Sequence, residues 1–232
     1  MTSLSAVVRI ATDVLRGDRA AGRESRARSI STATLTASIV AFGMFYGGVM
    51  GTYGGFDGPR MWQVVYSAVK VPFLLFTTFF LSLPSFFVVN TLLGLRPDFP
   101  RVIRALLGTQ AGLTIILSAL APYTAFWYIC GSRYQPAILF NGVMFAVASV
   151  SAQWMLRRSY EPLVKSNSKH RLMLRAWLII YVFVGIQMAW VLRPFIGDPS
   201  APVQFFREGS WSNAYEVVIQ MIWEVVSGRA RG

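Results

Sequence analysis

The sequence predicts an all-α fold: an integral membrane bundle of about five transmembrane helices with amphipathic N- and C-terminal interfacial helices. Three observations predict it. Of the 232 residues 54% are hydrophobic and only 14% are charged, against about 25% charged in an ordinary soluble domain. Five stretches are apolar for long enough to cross a bilayer, which takes about 20 residues. The basic residues also alternate between successive connections in the way that membrane topology demands.

The five spans run from about Ile30 to Thr52, Val64 to Leu93, Val102 to Cys130, Pro136 to Met155, and Leu172 to Leu192. None contains Asp or Glu. The connections orient them. Six Arg precede span one, three follow span two, and six Lys or Arg lie between span four and the entrance of span five. These fifteen would share one side of the membrane. The opposite side would hold Arg60, Arg133, Arg193, Arg207, Arg229 and Arg231. Lys and Arg collect in cytoplasmic loops, so the expected orientation is N-terminus cytoplasmic and C-terminus outside. Only three of the 22 basic residues are Lys, a bias typical of GC-rich bacterial genomes, so a bacterial cytoplasmic membrane is the expected location.

Residues 1–29 are read as a basic cytoplasmic segment, 30–193 as the five-helix domain, and 194–232 as a non-cytoplasmic segment. No cleavable signal peptide is expected, because the first 29 residues lack an unbroken apolar core. Near the N-terminus, Leu4, Val7, Val8, Ala11, Val14 and Leu15 fall on one helical face. That helix would lie on the cytoplasmic leaflet or pack on the protein's own loops. Near the C-terminus, Trp211, Tyr215, Met221 and Ile222 belong to a second apolar stripe and form a candidate partner surface. Asn213 and Glu216 have capping-box spacing there, and Gly228 is a stop signal. The prolines between Arg193 and Pro202 predict an ordered turn that folds this segment back onto the bundle.

Gly43, Gly47 and Gly51 recur every four residues in span one. Small residues at this spacing let two helices approach closely in lipid. Packing within the chain is the plainer reading, and a homo-oligomer seam is the sharper one. Lys70 is the one basic residue deep in an apolar stretch, near the outer end of span two. Snorkelling to the headgroups or a capping role is expected for it, with an anion or lipid-headgroup contact as the alternative. Asn90, Gln110, Asn141, Gln153 and Gln187 lie within spans. They read first as an interhelix polar seam, and second as a polar path. Pro84 and Pro122 predict kinks. Trp127, Tyr128, Trp154 and Trp177 read as aromatic belts.

Catalytic signals are poor. His170 is the single His, read as an exposed loop residue beside Lys169 and Arg171. It has no Cys, His or carboxylate companions at metal-ligand spacing. No cofactor or metal is implied. The formal charge of +12 is what topology alone requires, and no nucleic-acid motif accompanies it, so no nucleic-acid partner is expected.

The stretch GLRPDFPRVIRALLGTQAGLTIILSALAPY, Gly94 to Tyr123, has a short Gly-containing loop, a basic amphipathic entry and a span ending near proline. With five spans and a cytoplasmic N-terminal segment, it is similar to the pattern of the Yip family of Rab-interacting membrane proteins and its bacterial relatives. The resemblance implies a non-enzymatic role in membrane organisation or trafficking and transfers no functional residue. The expectation from the whole sequence is a non-catalytic scaffold or accessory subunit that binds the lipid bilayer, other membrane proteins and a second copy of itself. A small-solute or ion channel or transporter is the alternative.

Overall fold

The computed structural model describes residues 2–16, 31–55, 57–131 and 133–207. Trp211, Tyr215, Met221 and Ile222 lie outside the described residues. Among the described residues six α-helices follow in order: α1 (Thr2–Arg16), α2 (Thr32–Gly51), α3 (Arg60–Leu92), α4 (Phe99–Ile129), α5 (Tyr134–Ser166) and α6 (Lys169–Val191). No strand occurs among the described residues. Helices α2 to α6 are the five predicted spans, and all five are long and apolar enough to cross a membrane.

The helices alternate in direction. Gly43 faces Pro72 while Gly51 faces Val64, so α2 and α3 are antiparallel. Ser118 donates to the Phe42 carbonyl and Tyr128 to that of Met50, so α2 and α4 are parallel. Gly185 of α6 meets Thr78, and Trp177 meets Phe86, which sets α6 antiparallel to α3. Side by side the order is α3–α2–α4–α5, and α6 closes the ring between α3 and α5. One end, here the near end, holds the start of α2 and the α3–α4 and α5–α6 turns. The far end holds the α2–α3 and α4–α5 turns and the exit of α6.

Two apolar clusters fill the bundle. One surrounds Ile39, Tyr46, Val71, Leu117 and Ala121. The other, toward the near end, surrounds Phe86, Leu106, Leu156, Met173 and Trp177. The outer surface is also apolar: Phe80, Val88, Leu139, Val150, Ile179 and Phe183 are all exposed. Water would not tolerate so continuous an apolar coat, whereas lipid is a good solvent for it.

The structure moves several sequence-based boundaries. Helix α3 begins at Arg60 rather than Val64, because Gly58, at φ +53°, turns the chain and the amide of Arg60 then donates to the Asp57 carbonyl. Pro72 therefore lies well inside α3 and does not start it. Helix α5 continues to Ser166, past the expected end at Met155. Hydropathy stops where lipid stops, but a helix continues wherever its hydrogen bonds and packing do. Leu156 and Tyr160 are buried there, and Glu161 pairs with Lys165 at 2.9 Å. Trp177 is buried against Phe79 and Phe86 rather than sitting in an aromatic belt. In α1, Val14 is buried, with Ile10 and Ala11 packed on the same cluster, while Val7, Val8 and Leu15 point outward.

Candidate functional site

The site rests on α3. Its first three turns carry Arg60, Gln63, Ser67 and Lys70 on a helix otherwise rich in apolar residues. Spacings of three and four residues put all four on one face. Opposite them lies the segment from Arg193 to Arg207, which leaves α6 and crosses the far end. Pro194, Pro199 and Pro202 deny this strap a helix, so its carbonyls need partners from elsewhere.

The α3 stripe supplies them. Lys70 Nζ donates to the Pro194 carbonyl at 2.7 Å. Ser67 Oγ and Gln63 Nε2 both donate to the Phe195 carbonyl. Arg60 donates through Nη1 to the Asp198 carbonyl at 2.9 Å and through Nη2 to that of Pro199. From the other side, the Tyr134 hydroxyl of α5 donates to the Ile196 carbonyl at 3.2 Å. Ile196 is itself buried in the apolar cluster. Gly197 is needed where the strap passes Gln63, since a Cβ there would lie 2.7 Å from Gln63 Cγ.

Lys70 thus does not snorkel. It is fully buried, and its ammonium lies 4.8 Å from the centre of the Phe205 ring. The strap covers it, so it makes neither a headgroup contact nor a helix cap. At the turn of the strap, Ser200 donates to Asp198 Oδ1 through its hydroxyl at 2.6 Å and its amide at 2.9 Å. These bonds, the hydroxyl's first, hold the Asp198 carboxyl below its ordinary value. Burial, and then the charge of Arg207, lower the pKa of Arg193, whose guanidinium stacks on Trp190 at 3.4 Å. Between strap and helices lies a cavity of about 250 Å³, lined among others by Arg60, Gln63, Tyr134, Asp198, Gln204 and Arg207.

No family model matches the chain, and neither a curated protein nor a solved structure matches it.

The other predicted residues fall in separate places. Gly43, Gly47 and Gly51 all face α3, where a Cβ on Gly47 would lie 2.3 Å from the Ser67 carbonyl oxygen. Intrachain packing uses this face, since α3 already covers it. Asn141 belongs to a seam at the far end. It accepts from Tyr46 at 3.1 Å and donates to the Tyr128 hydroxyl at 2.7 Å, tying α2, α4 and α5. Gln110 and Gln153 share a cavity of about 20 Å³, room for about one water. Asn90 is buried at the near end of α3, and Gln187 is half-buried on α6. Neither of these two, nor Asn141, lines the cavity of Gln110.

His170 also departs from expectation. It is fully buried at the start of α6, and its Nε2 lies 3.2 Å from Asp98 Oδ2 in the α3–α4 turn. Lys169 beside it donates to the Leu93 carbonyl at 3.2 Å. Together they clasp two near-end turns. Among the described residues, no group of three His, Cys, Asp or Glu converges as a metal site would require.

The sequence offered one signal for the α3 stripe: polar residues at positions 60, 63, 67 and 70, spaced three, four and three. Taken together they mark a polar face that needs polar partners. Considered singly, Lys70 looked like a residue reaching for water.

Proposed function

We propose that this chain is a non-catalytic, multi-pass protein of a bacterial cytoplasmic membrane, a scaffold or accessory subunit of a membrane protein assembly. Its N-terminus would be cytoplasmic and its C-terminus outside. The observation that carries this reading is where the polar side chains of the spans are used. The α3 stripe holds the strap, and Tyr46, Asn141 and Tyr128 join three helices. Meanwhile α5 and α6 bury little inside the bundle: 17% of an apolar 18-residue stretch of each is buried, against 50% for α4. Such a face suits either lipid or the helices of a neighbour. With the glycine face of α2 covered, an assembly contact falls to α5 and α6 or to the segment beyond Arg207. The likeness of Gly94–Tyr123 to the Yip family points toward the same kind of role. A solute path receives less support, because Asn90, Asn141 and Gln187 do not line the small cavity that Gln110 and Gln153 share.

The test is purification of the intact chain from its membrane in mild detergent, with disulfide crosslinking of single cysteines at Val150 and Ile179 in a C130A background. Defined crosslinked species and a mass above that of one chain are expected. A strictly monomeric particle without crosslinks would count decisively against the reading. Orientation has its own check. Cys130 is exposed at the far end, so a membrane-impermeant maleimide should label it from outside intact spheroplasts.

A further inference from the structure

The cavity behind the strap has the features of a ligand site, and we propose that it binds a small phosphate-type anion carrying its own hydrogen-bond donor. Glycerol phosphate chemistry fits this description, either as the headgroup of phosphatidylglycerol or as the soluble ester. The inference does not depend on the scaffold reading.

The first observation is Gln63. Its residue is 1% exposed and its side chain lines the cavity. Its Nε2 donates to Ser67 Oγ and the Phe195 carbonyl, but its Oε1 accepts from no described group. Buried polar atoms almost always have partners. An amide oxygen can only accept, so the group that meets it is a donor: a water, or a hydroxyl or ammonium that displaces one.

The second observation is charge. Among the described lining residues Arg60 and Arg207 supply two guanidinium groups and Asp198 one carboxylate. Arg60 spends its donors on the carbonyls of Asp198 and Pro199. These are neutral acceptors, so its positive charge remains. The Asp198 carboxylate is engaged by Ser200. Next in sequence to the lining residue Pro194 is Arg193, whose buried Nε has no acceptor among the described residues. Guanidinium groups clustered against one carboxylate favour a phosphate, whose oxygens accept several N–H bonds at once.

The third observation is size. A volume of about 250 Å³ falls just below the range of drug-sized pockets. It suits a group of roughly ten non-hydrogen atoms, which is the size of glycerol phosphate. The cavity also lies where the apolar lengths of the helices end, which is headgroup level for a spanning bundle.

The experiment uses the full chain in phosphatidylcholine nanodiscs. One arm titrates glycerol 3-phosphate by calorimetry. The other adds phosphatidylglycerol to the nanodiscs and reads lipid retention by native mass spectrometry. Saturable binding is expected in at least one arm. Binding of the soluble ester in phosphatidylcholine discs identifies a soluble ligand, and retention of phosphatidylglycerol alone identifies a lipid. R207Q, at an exposed rim position, should weaken binding about tenfold through loss of a charged contact. D198N should leave binding unchanged or tighten it, a sign that general damage to the strap would not produce. G197A presses on Gln63 and should weaken binding as well. The melting temperature of each unliganded variant reports that it is folded. Absence of binding in both arms would overturn the proposal. So would wild-type binding by both R207Q and G197A, or glycerol binding as tightly as its phosphate.

Discussion

Replacing Gly47 by Ala tests the packing of α2 on α3 with a single methyl group. The added Cβ would lie 2.3 Å from the Ser67 carbonyl oxygen, 2.9 Å from the Ser67 carbonyl carbon and 3.0 Å from Ala68 Cα. All three are backbone atoms of a helix and cannot rotate away. A comfortable carbon–oxygen contact is about 3.3 Å, so α3 must retreat by about 1 Å. A gap of that size forfeits a quarter to a half of each dispersion contact across the seam, and overpacking of this kind costs about 1–3 kcal/mol. For a chain of this size that corresponds to a fall in melting temperature of roughly 3–10 °C. The neighbouring Gly48 is the control, since its nearest neighbour would be Ala68 Cβ at 4.0 Å. There Ala brings only its better helix propensity, and stability should be unchanged or raised. Gly51→Ala should resemble Gly47→Ala, because its Cβ would meet Val64 Cα at 2.6 Å. Gly43→Ala should be mild, with Pro72 at 3.4 Å. The assay is thermal unfolding in maltoside micelles, followed by tryptophan fluorescence. Equal stability of G47A and G48A would refute the reasoning, because helix propensity alone cannot separate them.

Three further outcomes follow from the contacts at the far end. Lys70→Met removes the donor of the Pro194 carbonyl and should cost about 1–3 kcal/mol, and it should raise limited proteolysis within residues 193–207. Unchanged cleavage there would mean that Lys70 does not anchor the strap. Asn141→Leu and Tyr46→Phe should couple by about 1 kcal/mol in a double-mutant cycle, and strict additivity would dissolve the three-helix seam. Because the Asp198 carboxyl is held below its ordinary value of 3.8, the order it lends the strap should be complete above that value and lost only as pH falls through the lowered one. Ser200→Ala should move that loss to higher pH. Proteolysis with an acid-active protease would show it, and identical acid profiles would remove Ser200 as the cause.

The number of spans and the unequal distribution of basic residues between their connections were legible in the sequence by itself. Both are local sums: a hydrocarbon layer filters for apolar length, and five such lengths are present whatever touches what. The small-residue face of α2 was legible as a face, and so was the end of α6 before its prolines. What the tertiary structure decided is the partner of each polar or small group. The strap that meets Lys70 lies 124 residues away along the chain, and Asp98 lies 72 residues from His170. Neither distance leaves a periodicity to read, so one side chain looked bound for the headgroups and the other for water, although both are fully buried. A hydrogen bond needs its two ends brought within about 3 Å, and only the closure of the helix ring and the return of the strap across it bring these ends together.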